Sequence, residues 1–203
     1  MTLLKLIHIK QEFPNIWSFV FEKPQGFFYY PGQYIDVRLD NTKDPYPTRA
    51  FTLSSSPTED FLMVTTRLGH SEYKKTLRTL KAGDTITISH PSGTFSYDHT
   101  EPGVFVARGI GITPFRSIIK HLTDTNQPHK PIDVYYIDHD QNFLFHRDLQ
   151  CSNIHYNNDP PLNLNDQIYY LSGPPKFVKE IYQKLIDRDI AELNIRVDQF
   201  DGY

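Results

Sequence analysis

Among its 203 residues the chain has one cysteine, Cys151, one tryptophan and two methionines. A single thiol excludes an internal disulfide and a cysteine-ligated iron–sulfur cluster within this chain. No apolar run approaches the roughly 20 residues of a membrane-spanning helix, so no membrane span is expected. Met1-Thr2-Leu3-Leu4-Lys5 does not read as a signal peptide. Charge of one sign is also lacking: 21 basic residues against 24 acidic ones leave a net −3. That balance gives no electrostatic footprint for nucleic acid or an anionic membrane. None of the nine histidines stands four residues from another, so no helical metal pair is expected. These absences point to a soluble, cytoplasmic globular protein without a metal.

Aromatic residues, by contrast, are abundant, with 13 Tyr and 14 Phe among residues that are 38% hydrophobic overall. Many fall in short alternating runs, which suit half-buried strands. Residues 4–9, 17–22, 31–39, 50–53, 61–66 and 84–88 each read as such a strand, with turn residues between them. Even spacing of this kind predicts a small antiparallel barrel over residues 1–98. One helix interrupts it at 71–80, with Tyr73, Leu77 and Leu80 on one face and Lys81-Ala82-Gly83 closing it.

Past the polar linker at 98–103 the pattern changes, and residues 99–203 alternate strands with helices. Val104-Phe105-Val106-Ala107 reads as a buried parallel strand. It breaks at Gly109-Ile110-Gly111, where a tight turn needs residues without a Cβ. Thr113 is expected to cap the following helix and Pro114 to open it, while Phe115, Ile118, Ile119 and Leu122 supply its apolar face. Free N–H groups and the helix dipole favour a pyrophosphate at such a corner. An ordinary βα corner with no ligand is equally compatible with this stretch. Strands at 132–137 and 167–172 follow, the second running through Gly173-Pro174-Pro175 into a helix, so a parallel sheet with right-handed crossovers is expected. Residues 152–161 show no period and read as a loop.

Four stretches, spread over nearly the whole chain, resemble the ferredoxin–NADP reductase superfamily of flavoenzymes. Arg49-Ala50-Phe51-Thr52 is similar to its Arg-x-Tyr/Phe-Ser/Thr flavin signature. Gly69-His70-Ser71 resembles the second flavin-phosphate contact, Gly109-Ile110-Gly111-Ile112-Thr113-Pro114 the nicotinamide-nucleotide loop, and Ser172-Gly173-Pro174-Pro175 the Cys/Ser-Gly-Pro-Pro turn. The terminal aromatic, Tyr203, fits as well. Arg108 departs from the pattern, since it stands at a common glycine, and Ser172 at the usual cysteine excludes thiol chemistry there. The resemblance implies a Greek-key β-barrel flavin domain, 1–98, followed by a parallel-sheet nicotinamide-nucleotide domain, 99–203.

It also implies roles. Arg49 would grip the flavin diphosphate, Phe51 pack along the ring, and Thr52 offer a hydroxyl near the hydride-accepting nitrogen. His70 and Ser71 would add a phosphate contact, and Thr65, Thr66 and Arg67 would pass the adenosine half of FAD. Gly109, Gly111, Thr113 and Pro114 would hold the NAD(P)H pyrophosphate, with Ser172, Gly173 and Pro174 bringing nicotinamide to the flavin. Tyr203 would shield the ring. Thr52, Ser172 and Tyr203 are the catalytic candidates. Read without the resemblance, Arg49 is a surface charge, Phe51 barrel core and Ser71 a helix cap. The superfamily reads the 2′-phosphate just past the second strand of the nucleotide domain. Asp138 stands there, which implies NADH over NADPH; a solvated turn is the plainer alternative. The implied activity is hydride transfer from NAD(P)H to bound FAD, with electrons passing to a separate acceptor, a redox protein or small molecule. Two other readings are a reductase using flavin as substrate, and a non-catalytic nucleotide-binding module.

Overall fold

The computed structural model describes residues 1–149, 153–162 and 166–200. Cys151, Gly202 and Tyr203 lie outside the described residues. The first half forms β1 (Thr2–Phe13), β2 (Ile16–Glu22), β3 (Tyr34–Arg38), β4 (Thr48–Thr52), β5 (Phe61–Arg67), α1 (Glu72–Thr79) and β6 (Thr85–Ile88). All six strands pair antiparallel in the order β4-β3-β6-β1-β2-β5. Alternation along each strand turns Leu4, Leu6, Phe19, Phe21, Ile35, Val37, Ile86 and Ile88 to one face, and the sheet curls around them. Its two end strands meet only locally, through a Leu53–Val64 bridge and Ser54 N–H donating to the Met63 carbonyl at 2.8 Å. The barrel is therefore an incompletely closed one.

Helix α1 plugs this curl. The Ser71 side chain accepts from the Lys74 N–H at 3.2 Å, so its start is capped as expected, and Tyr73 and Leu77 enter the core. Tyr73 Oη donates to the Val37 carbonyl at 2.9 Å, which ties the helix to β3.

The second half comprises β7 (Gly103–Arg108), a 3₁₀ turn (Gly109–Ile112), α2 (Thr113–Thr125), β8 (Ile132–Ile137), β9 (Asn153–Tyr156), β10 (Ile168–Gly173), α3 (Pro175–Ile186) and β11 (Ile195–Gln199). The strands are parallel in the order β11-β10-β7-β8-β9. Successive residues of β7 serve opposite faces. Phe105 and Ala107 pack with Phe115, Ile118 and Leu122 of α2, whereas Val104 and Val106 pack with Val178, Ile181 and Leu185 of α3. Phe105 and Phe115 stack at 4.5 Å between centroids, worth about 0.5–1.5 kcal/mol beyond area burial. No helix among the described residues is long and apolar enough to cross a membrane.

Two sequence expectations change, and one strand appears that the sequence reading did not suggest. Within the stretch read as a loop, residues 153–156 form edge strand β9; only four residues long, exposed at Asn153 and partly buried after it, it shows no apolar period. At the chain end, the half-exposed β11 joins the sheet as its other edge. Thr113 does not cap α2. The 3₁₀ turn runs straight into the helix, so Thr113 already has helical angles, φ −59 and ψ −46, and no side chain caps the start.

Arg116 of α2 fastens the two sheets together. Buried, it forms paired bonds of 2.8 and 2.9 Å to Glu59 of the β4–β5 loop. It also donates to the Ser54 carbonyl at 2.6 Å and to Asp148 at 2.8 Å. Beside it, Ser117 Oγ donates to the Ser55 carbonyl at 2.6 Å.

Candidate functional site

Strand β4 runs along a cavity of about 820 Å³, lined among others by Arg49, Phe51, Thr52, His70, Ser71 and Lys74. Arg49 reaches it with a fixed head. Its guanidinium donates to Asp44 at 3.0 Å, to the Thr48 carbonyl at 2.9 Å and to the Tyr46 carbonyl, and lies 5.3 Å over the Tyr73 ring. A guanidinium has five N–H donors, so these three bonds orient it and leave capacity for an anion. N–H groups of Tyr46 and Tyr73 donate to Asp44, and with Arg49 they hold its carboxyl below the usual range.

Phe51 stacks on Tyr73, with centroids 6.0 Å apart, and on its other contacts meets Lys74, whose Nζ lies 4.9 Å from the ring centroid. Lys74 Nζ also donates to Thr66 Oγ1. Burial, with Arg49 adding to it, pushes the Lys74 ammonium down to about 8. The last strand closes the cavity from the other sheet: Asp198, Gln199 and Phe200 line it. Thr52 Oγ1 donates to Asp198 Oδ2 at 3.5 Å, and burial raises that carboxyl to about 6 against the lowering effect of this bond. An adjoining space of about 40 Å³ is lined by Thr65, Thr66, Arg67, Lys74, Thr113 and Phe200, among others.

A third cavity, about 330 Å³, opens at the carboxyl ends of β7, β8 and β10, between Arg108, Gly109, Asp138, Pro174, Lys176 and Arg67. Ligands of open parallel sheets bind at this edge. Arg67 lines both this cavity and the 40 Å³ space, so the two are neighbours. Two glycines shape the corner. Gly109 has φ +56, and a Cβ on Gly111 would lie 2.2 Å from the Ser172 carbonyl oxygen. Gly111 thus brings the turn against β10 rather than lining the cavity. Ser172 is fully buried, and its Oγ finds no partner among the described residues. Asp138 is buried; its Oδ1 accepts from the N–H groups of Asp140 and Asn142 at 2.9 and 3.2 Å.

Arg49, Phe51, Thr52, His70 and Ser71 therefore share one cavity; Thr65, Thr66, Arg67 and Thr113 share its narrow extension; Gly109, Asp138 and Pro174 share the third. Gly173, at φ +151, packs against Arg108, and Pro114 is buried inside α2. Lys74, Asp198 and Phe200 are additions the sequence reading missed. Alternation over Ile195-Arg196-Val197-Asp198 was the available signal for β11.

No protein-family model matches the chain. The FAD/NAD-binding domain of nitric oxide dioxygenase from Vibrio cholerae superposes with a TM-score of 0.79 at 19% identity, covering 98% of both chains. Ferredoxin-NADP+ reductase from Neisseria gonorrhoeae gives 0.80 at 18% identity, again over 98% of both. NADH oxidoreductase of Escherichia coli is 30% identical over 138 residues, 66% of this chain and 42% of its own length. The chain shares the two-domain fold of these ferredoxin–NADP reductase-like structures. Flavohemoprotein A of Dictyostelium discoideum extends the likeness to 94% of this chain at 24% identity, across 58% of its own length. The chain thus spans about half the length of these curated relatives. The Arg49–Thr52 stretch and the Gly69–Ser71 stretch line one cavity.

Proposed function

We propose that the chain is an NAD(P)H-dependent flavin oxidoreductase of the cytoplasm, with residues 1–98 holding FAD and residues 99–203 the nicotinamide nucleotide. Hydride would pass from the nucleotide to the flavin, and electrons onward to a separate acceptor. The observation that carries this reading is the large cavity: two cations, Arg49 and Lys74, line it with two aromatic rings, Phe51 and Phe200. A flat ring bearing an anionic tail fits such a lining. FAD, when bound, supplies the electron chemistry.

The protein's own groups divide the remaining work. Arg49 and the Ser71 end of α1 bind phosphate; Phe51 and Phe200 flank the ring and exclude water. Thr52 and Asp198 hold a proton between Oγ1 and Oδ2 at the cavity wall. Across the domain junction, Gly109 and Arg108 take the pyrophosphate, while Ser172, fully buried and outside the cavity lining, keeps its nicotinamide role on the resemblance alone. Arg116, tying α2 to the β4–β5 loop, fixes the alignment of the two halves. Tyr203 keeps its proposed shielding role on the resemblance alone.

NADH is the proposed nucleotide. Arg67, Arg108 and Lys176 against Asp138 and Asp140 leave the third cavity roughly one positive charge. A pyrophosphate already exceeds that, and a 2′-phosphate would add a further charge of about −2 beside the buried Asp138. Because Asp138 Oδ1 also fastens its own loop, Asp138→Asn isolates the charge better than a smaller residue. Native protein should use NADH with the higher kcat/KM, and Asp138→Asn should narrow the ratio; a native preference for NADPH would refute this assignment.

The flavin reading is tested by the absorption spectrum of the purified protein. A bound flavin spectrum, or one restored by adding FAD, is expected. Flavin lost on gel filtration supports its use as a substrate, and a colourless protein that cannot be reconstituted supports a non-catalytic module.

A further inference from the structure

Lys74 occupies a position that the flavin signature does not account for. It follows Tyr73 on α1, whose ring is buried in the barrel core, and its own side chain turns along the cavity wall. Its Nζ lies 4.9 Å over Phe51 and donates to the neutral hydroxyl of Thr66. Among the described residues no carboxylate pairs with it. The charged groups around it are mostly of its own sign: Arg49 from β4 and Arg67 from β5 line the same spaces. Of the acids, Asp44 is committed to Arg49 and Asp198 of β11 to Thr52. A cation taken out of water beside another cation costs free energy unless an anion arrives. The depressed ammonium, down to about 8, is a consequence of the same surroundings.

We propose that Lys74 is a second phosphate-binding cation, which with Arg49 brackets the anionic tail of the flavin nucleotide and selects phosphorylated flavins over riboflavin. This rests on the flavin reading above. It adds the Lys74 ammonium to Ser71 on the first turn of α1, both lining the same cavity.

Two opposite movements distinguish this role from simple packing. In the flavin-free protein, Lys74→Met keeps the stem and removes a half-buried charge that no carboxylate pairs with among the described residues, so Tm should rise. The same substitution should weaken FAD and FMN binding by about tenfold or more, the worth of one charge-assisted bond, and leave riboflavin binding within about twofold. Lys74→Arg should stay within about threefold of native for all three. The measurement is fluorescence titration of native protein, both Lys74 variants and Arg49→Ala with FAD, FMN and riboflavin, alongside melting curves without ligand. If Lys74→Met binds FAD as tightly as native, or loses riboflavin to the same degree, the proposal is overturned while the flavin reading stands on the native titration. Native protein that takes up no flavin overturns both. Should Lys74→Met melt far below native, the selectivity is read from Lys74→Gln, with the same two outcomes.

Discussion

Arg49 and Asp198 show how far single side chains can be read here. Arg49 is recognisable from its neighbours in sequence, yet its partner Asp44 is visible only in the structure. Arg49→Ala removes the cation proposed to grip the diphosphate and should weaken FAD binding by about 2 kcal/mol or more; unchanged affinity in a binding titration would contradict the assignment. Asp198 carries a pH signature. Its carboxyl is raised to about 6 by burial, above the ordinary 3.8. Below about pH 3 it is largely protonated both folded and unfolded and costs little. As pH rises from about 4 through 6 the unfolded chain ionises before the folded one, so folding loses about 3 kcal/mol from this group. Asp198→Asn removes that loss. The gap between the melting curves of native protein and variant should be smallest near pH 3 and widen by pH 7 in favour of the variant. Equal spacing at both pH values would show that the carboxyl is not buried as described.

Elements differ in how legible they are. The six barrel strands and β7, β8 and β10 carry strong period-two or continuous apolar patterns, because one or both faces are buried. Edge strands β9 and β11 pack on one side only, so their sequences record little of their pairing. The site follows the same logic. Arg49, Phe51, Thr52 and Ser71, which line the cavity, were readable through the resemblance, whereas Asp198 and Phe200 reach it through a crossover that local sequence does not encode. Thr113 was misassigned because a 3₁₀ turn supplies the preceding backbone, which makes a side-chain cap unnecessary. Arg116 is the element-scale test. Arg116→Met leaves Glu59, whose side chain is 11% exposed, without its paired donor. The expected cost is about 3 kcal/mol in chemical denaturation. A change under about 0.5 kcal/mol would mean that α2 and the β4–β5 loop are not coupled through this contact. Gly111→Ala tests the other joint: a Cβ 2.2 Å from the Ser172 carbonyl forces the turn off β10, so nicotinamide-nucleotide affinity should fall while FAD binding is kept. Retained nucleotide affinity would show that the close approach is dispensable.

At the scale of the whole molecule, two sheets of different kind are set against each other so that the open end of one cavity neighbours the other. Thr52, Phe200, Thr113 and Arg67 come from four elements and meet at that junction. A flavin held by the first sheet and a nicotinamide held by the second would therefore react without either leaving its site. The measurement that tests this most directly is anaerobic rapid mixing of the FAD-loaded protein with NADH, and with NADH deuterated at the transferred hydrogen. One equivalent of NADH should bleach one equivalent of flavin in a single turnover, and deuterium should slow that step. Flavin that stays oxidised under excess NADH and NADPH would contradict the account.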